Sequence, residues 1–222
     1  MDFQEKISAI ADYWNEASDG FDEQHATENL ALWSAELEKA IGLQGNGSVL
    51  DVGTGTGFLA LLLAKLGYDV SGVDVTEKML QIGVEKAKRL NLSVDFQKGE
   101  CEHLPFSDNR FDAVVNCRVM WTLTDPEAAV REWMRVLKSG GRVISFMRMM
   151  NVGETGTHGE MSSDGGYYGN GVELPLRCGK REDYIAVYRA AGLDEIAVTE
   201  LPPEMSHAED MPGWTMFIGK KK

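Results

Sequence analysis

The sequence predicts an α/β protein built on a doubly wound, mostly parallel sheet, with a helical cap in front and an antiparallel hairpin at the end. Three observations carry this. The apolar run Val49, Leu50, Asp51, Val52 ends in a glycine turn, Gly53, Gly55 and Gly57, and passes directly into an apolar helical segment. Short apolar runs then alternate with helical ones at regular spacing. Two late strand-like runs, separated by a polar stretch with prolines, close the chain.

In chain order, Phe3, Ile7, Ile10 and Trp14 recur at helical spacing and predict a first amphipathic helix. A polar break over 15–23 follows, then a second helix over 27–41 with Leu30, Trp33, Leu37 and Ala40 on one face. These helices have too little apolar surface for a core of their own, so 1–45 reads as a cap on the domain that follows. The sheet region is expected as strand 48–53, helix 58–66, strand 69–74, helix 77–90, strand 93–98, strand 111–117, a helix from Pro126 to near Leu137, and strand 142–147. Asp125 is placed to cap that last helix with Pro126 at its first position, and Gly140-Gly141 to break it. Residues 151–179 interrupt the rhythm with a glycine-dense stretch that carries His158 and Tyr167, read either as a substrate lid or as a disordered insertion. A helix over 180–191 and strands over 195–201 and 214–219 complete the chain. The organisation is therefore one domain: cap 1–45, core 46–150, insertion 151–179 and C-terminal part 180–222.

Composition narrows the function. The chain has 222 residues, a hydrophobic fraction of 43% and a net charge of −13. That acidic balance argues against a protein that grips nucleic acid by its phosphates, and the only basic run is Lys220-Lys221-Lys222. No apolar run is long enough for a bilayer, and the first residues carry no signal-peptide pattern, so a cytoplasmic protein without a membrane partner is expected. Cys101, Cys117 and Cys178 are too few and too scattered for a disulfide framework or a CxxC metal site.

The glycine turn is the informative motif. Glycines tolerate positive φ and let a ligand approach the backbone, while the helix that follows presents free N–H groups. The dinucleotide fingerprint is G-x-G-x-x-G, but Phe58 stands where its third glycine belongs. Asp51 precedes the turn. It would repel a pyrophosphate and favour an ammonium or sulfonium. Asp74, at the end of the second strand, stands where a carboxylate accepts the ribose hydroxyls, with a cap on the next helix as the other reading. Val75 is placed to pack on an adenine face. Glu100 is placed to accept from an adenine amino group, and the Cys101 backbone to donate to the ring.

Taken together, Val49 to Gly57, Gly72-Val73-Asp74 with Met79-Leu80, Gly99 to Glu102 with Leu104-Pro105-Phe106, Phe111-Asp112, and Arg135 to Gly141 resemble the class I S-adenosylmethionine-dependent methyltransferases, in the small-molecule group that includes ubiquinone and menaquinone biosynthesis enzymes. The resemblance spans about residues 48–146. It implies a Rossmann-like seven-stranded sheet with an antiparallel last strand, S-adenosylmethionine as methyl donor and S-adenosylhomocysteine as product. It also implies cofactor contacts from Asp51, Gly53, Thr54, Gly55, Gly57, Asp74, Val75, Met79, Glu100, Cys101 and Asn116. Two positions depart from the family pattern: Glu100 replaces the usual Asp, and Cys117-Arg118 follows the fourth strand where Ser or His is frequent.

Methyl transfer to a small molecule is an in-line displacement on a carbon activated by the sulfonium, so the protein mainly positions and desolvates. No motif specifies a base. His158, His25 and Tyr13 are the base candidates; Tyr13, His158 and Arg118 are the candidate catalytic residues, Arg118 as a group that binds a substrate carboxylate. Trp14, Arg118, Trp121 and Tyr167 are the candidate substrate contacts, each also readable as packing or surface. The alternatives are a metalloid (arsenite-type) methyltransferase using Cys101, Cys117 and Cys178, and a protein that binds S-adenosylmethionine without catalysis. A nucleic-acid methyltransferase is disfavoured because Asn116-Cys-Arg-Val119 stands where an Asn/Asp-Pro-Pro-aromatic motif would be. A monomer or homodimer is expected.

Overall fold

The structure is a computed structural model, and it describes residues 1–24, 26–149, 172, 174–177, 179–205 and 213–222. Among them the strands form one seven-stranded sheet in the order β3-β2-β1-β4-β5-β7-β6. The strands are β1 (Ser48–Val52), β2 (Asp69–Asp74), β3 (Asp95–Lys98), β4 (Phe111–Cys117), β5 (Leu137–Arg148), β6 (Asp194–Glu200) and β7 (Trp214–Lys220). The pairs from β3 to β5 are parallel, and β7 runs antiparallel to both β5 and β6. From β1 the chain winds outward to β2 and β3, then returns to place β4 beside β1. That reversal opens a crevice beyond the carboxyl ends of β1 and β4.

Helices α1 (Phe3–Ala17), α2 (Phe21–Gln24) and α3 (Leu30–Ile41) precede the sheet. Helix α1 starts from a capping box: Asp2 accepts from the Glu5 N–H at 2.9 Å and Glu5 accepts from the Asp2 N–H at 2.8 Å. Helix α3 begins at Leu30 behind the Asn29 cap, three residues later than the expected start at 27, because a cap side chain and not the apolar pattern sets its first turn. Helices α4 (Phe58–Lys65), α5 (Glu77–Leu90), α6 (Pro126–Val136) and α7 (Arg181–Ala191) cover the sheet. Asp125 caps α6 as expected, accepting from the Ala128 N–H at 2.9 Å. Beyond it the expectation needs correction. Gly140-Gly141 does not break the helix; α6 has ended at Val136, and β5 runs through both glycines with a register irregularity against β4.

Alternate residues of the strands feed two cores. Leu50, Val52, Val114, Val143 and Phe217 face α6 and α7. Val49, Val70, Val115, Ile144 and Phe146 face α3 and α4 around the fully buried Trp33, which makes edge contacts with Phe58, Phe146 and Trp214 at 5.0–5.1 Å. Each such ring pair adds about 0.5–1.5 kcal/mol beyond its buried area. A small third cluster joins Ala9 and Ile10 of α1 to Val172 and Leu174, with Tyr13, Trp14 and Trp121 packed against it. No helix among the described residues is long and apolar enough to cross a membrane. His25, His158, Tyr167 and Cys178 lie outside the described residues.

Candidate active site

The glycine turn occupies the carboxyl end of β1. Gly53, Gly55 and Gly57 take φ of +63°, +52° and +84°, where an L side chain is strained. At Gly53 space is lacking as well: a Cβ would lie 2.4 Å from Val119 Cγ2. The turn crosses to β2 through the Thr54 N–H, which donates to the Val73 carbonyl at 3.0 Å. Asp74 then fastens it. One carboxylate oxygen accepts from the Gly55 N–H and the other from the Thr76 N–H, both at 2.8 Å. Asp51 sits beneath. Its Oδ2 accepts from the Thr54 hydroxyl at 2.7 Å and from the Ala60 N–H in α4 at 3.1 Å. Val75 is half-buried beside Asp74, and the Met79 sulfur would stand 3.4 Å from a Cβ at Gly55.

Both carboxylates are buried, and neither has a salt-bridge partner among the described residues. Burial pushes the Asp51 carboxyl up to about 7, against the pull of the Thr54 and Ala60 bonds, and raises Asp74 as well. Two buried acids without a cation form a site whose charge a positive ligand completes and a pyrophosphate does not.

Two further elements border the turn. Glu100, after β3, accepts from the Gln4 amide at 3.1 Å and lies 3.3 Å from His103 Nδ1. The Cys101 carbonyl accepts from the Trp133 indole at 2.9 Å. The cap reaches the turn from the other side. Asp22 accepts from the Thr56 hydroxyl at 2.6 Å and from Lys86 at 2.9 Å, while Lys78 pairs with Asp19 at 2.8 Å. Trp14 stands 6.2 Å from Trp121, ring to ring, so the structure brings these two expected substrate contacts together.

Asn116 is fully buried. Its amide donates to Ser145 Oγ at 2.7 Å, Ser145 lies 2.5 Å from the Tyr188 hydroxyl, and Asn116 Oδ1 has no partner among the described residues. The chain of bonds leads along the α7 face of the sheet. The two described thiols do not converge as the metalloid alternative requires: Cys101 packs with the α6–α7 core and Cys117 with the α3–α4 core, on opposite faces. Burial raises both, Cys117 up to about 12, so they stay protonated near neutrality.

The largest feature that the sequence reading missed is a polar knot at the ends of β4 and β5. The buried Glu28 carboxylate accepts from Arg118 at 2.8 Å, Arg148 at 3.2 Å, the Trp33 indole at 2.9 Å and the Trp214 indole at 3.1 Å. Both guanidiniums lie 4.6 Å from the Trp214 ring. Its members stand up to 186 positions apart, so no spacing pattern marks them. The one local signal is that Arg118 directly follows a strand predicted to end at the crevice.

A seven-stranded sheet in this order, with a glycine turn and two buried acids at its switch point, defines a nucleotide-type binding fold of the class I methyltransferase kind. Residues 50–145 match the family described as Methyltransferase domain. The ubiquinone/menaquinone biosynthesis C-methyltransferase UbiE of Geobacter sp. (strain M21) is 36% identical over 117 residues, which is 50% of this chain and 50% of that protein. UbiE of Pseudoalteromonas translucida is 30% identical over 148 residues, 63% of this chain and 59% of that one. The chain thus spans about half the length of the curated relatives it matches. Among solved structures, a SAM-dependent methyltransferase from Aquifex aeolicus superposes with a TM-score of 0.69 at 20% identity, covering 94% of this chain and 98% of that one. The shared fold extends well beyond the matched segment.

Proposed function

We propose that the protein transfers a methyl group from S-adenosylmethionine to a small-molecule acceptor. The observation that carries this reading is the pair Asp51 and Asp74, buried and without a salt-bridge cation among the described residues at the two sides of a glycine turn. The ligand that completes such a site bears an ammonium and a sulfonium at one end and a ribose at the other. In this reading Asp74 holds the ribose, Glu100 and the Cys101 backbone meet the adenine, and Gly53, Thr54, Gly55 and Gly57 cradle the amino-acid end with Asp51 below. Val75 and Met79 supply apolar contact, and Asn116 stands behind the sulfonium.

The cofactor supplies the activated methyl group and its leaving group. The protein's own work is to hold the two partners in line and keep water out. Helices α1 and α2, tied over the turn by Asp22, Thr56 and Lys86, serve exclusion. Trp14 and Trp121 form an apolar wall for the acceptor. The match to UbiE-type proteins favours a small organic acceptor. The cap, the core 46–150, the insertion 151–179 and the C-terminal part 180–222 act as one domain. Tyr13 and His158 remain the proposed candidates for a base.

Isothermal titration of the protein with S-adenosylhomocysteine and with NAD tests the reading. Binding of S-adenosylhomocysteine with loss of about tenfold or more in Asp74→Ala is expected, since that carboxylate's hydrogen bonds to hydroxyls are charge-assisted. Binding of NAD alone overturns it. Formation of S-adenosylhomocysteine from S-adenosylmethionine with a small acceptor separates an enzyme from a protein that only binds the cofactor.

A further inference from the structure

The ends of β4 and β5 hold more positive charge than the other half of the crevice, and one residue there is held in an unusual backbone state. Arg118 has φ of +65°. A non-glycine residue in that region is strained, and such strain concentrates at functional positions. The backbone is held there by the Arg118 N–H, which donates to the Phe146 carbonyl at 3.0 Å. The side chain packs among Glu28, Cys117, Phe58 and Trp214. Its guanidinium lies 5.8 Å from the ring of Phe58, the residue that follows the last glycine of the turn. Arg118 therefore stands beside the glycine turn.

The cluster that holds it carries more positive than negative charge. Glu28 is 2% exposed at its side chain and serves two guanidiniums and two indoles at once. Two guanidiniums share this one carboxylate, so the cluster keeps an excess positive charge. Among the described residues one Arg118 amino group meets Glu28, and the other meets the Cys117 sulfur at 3.6 Å, a weak acceptor. The side chain is 17% exposed, enough for contact and little enough for water to be excluded. A guanidinium with five donors in a fixed fork, held by Glu28 and stacked on Trp214, is preorganised for a planar carboxylate. A phosphate dianion fits worse, because a guanidinium already shared with Glu28 does not offset the desolvation of two charges.

We propose that the methyl acceptor is a small organic carboxylate whose charged end is bound by Arg118, with Glu28 and Trp214 as positioning residues. This rests on the methyl-transfer reading above. It goes beyond the match to quinone-biosynthesis enzymes by assigning the acceptor a negative charge.

The test starts with titration of S-adenosylhomocysteine, then uses the saturated protein. Benzoate, 4-hydroxybenzoate and phenylacetate are each titrated against the corresponding neutral amide. At least one acid is expected to bind about tenfold or more tightly than its amide, the size of one charge-assisted bidentate contact. Arg118→Met should remove that preference and Arg118→Lys should keep part of it. Failure of S-adenosylhomocysteine to bind overturns the underlying reading and this proposal with it. Binding of S-adenosylhomocysteine with no acid preferred over its amide overturns this proposal alone, as does a preference that survives Arg118→Met. Should Arg118→Met not fold, the wild-type acid and amide pairs together with Arg118→Lys still decide.

Discussion

Above β1 and β2 the sheet edge holds two buried carboxylates, Asp51 and Asp74, with no salt-bridge cation on either among the described residues; above β4 and β5 it holds two guanidiniums, Arg118 and Arg148, that share one carboxylate. The two halves face the same crevice with opposite charge. Their construction also differs. The acidic half is stitched within residues 51–76 by backbone N–H groups and the Thr54 hydroxyl, all donating to the two carboxylates. The basic half is assembled from Glu28, Trp33, Arg118, Arg148 and Trp214, which come from four different parts of the chain. A binding site for a ligand common to a family can be written locally, because the ligand meets one βα turn. A site for a variable partner is made wherever strand ends meet, and its parts need not be neighbours in sequence.

The largest effect that sets the two halves apart is expected from Gly53→Ala. The new Cβ meets Val119 across the crevice and the residue keeps a positive φ, so a loss of about 2–5 kcal/mol is expected together with loss of S-adenosylhomocysteine binding. Urea denaturation and calorimetric titration measure the two; an alanine protein of full stability and affinity means that the turn is looser than the structure has it. Next comes Glu28→Gln, which removes the shared charge from between the two guanidiniums. It should lower stability by about 3–5 kcal/mol, as expected when one member of a buried charge cluster goes, while S-adenosylhomocysteine binding in the surviving folded protein stays within a few fold. Equal loss of both would show the halves to be coupled.

A pH experiment addresses the acidic half alone. Asp51 is raised in the folded state from its ordinary 3.8 to about 7, so the folded protein binds a proton that the unfolded chain has released. Its contribution is fully present below about pH 4 and is lost as pH rises through about 7, at no more than about 1.4 kcal/mol per pH unit. Stability of the cofactor-free protein should therefore carry a falling component between pH 5 and 7 that Asp51→Asn lacks. Binding of the cationic cofactor should change in the opposite sense and strengthen over the same range. A matching slope in Asp51→Asn would place the titrating group elsewhere. The smallest effect is expected at the clasp between cap and turn. Lys86→Ala should cost about 0.5–1 kcal/mol, shrink further in 0.5 M salt, and chiefly speed release of S-adenosylhomocysteine in stopped flow.

How much was readable beforehand follows the same division. The second and fourth strands, the helix over 77–90 and the Asp125-Pro126 start of α6 were legible because apolar period and cap chemistry are local. The start of α3 and the path of β5 through Gly140-Gly141 were not, since one depends on a cap side chain and the other on pairing with β4 and β7. The thiols illustrate the limit. The metalloid alternative needs the cysteines at one site, yet the two described ones pack with opposite cores because β4 and the loop after β3 present them to different faces.

The sequence by itself determined the parallel sheet, the glycine turn, the two acids that flank it and the methyltransferase resemblance they carry. Each depends on residues within one βα unit or on the order of such units, where backbone sterics and hydrophobic period act over a few positions. Tertiary structure alone decided that Glu28 lies between two arginines, that Arg118 meets Trp214 and Phe58, that Asn116 donates to Ser145 beside Tyr188, and that the cap is tied to Thr56. Those contacts form only once the sheet order has put distant strand ends side by side, and a buried charge finds its partners by proximity in space, which a linear pattern does not record.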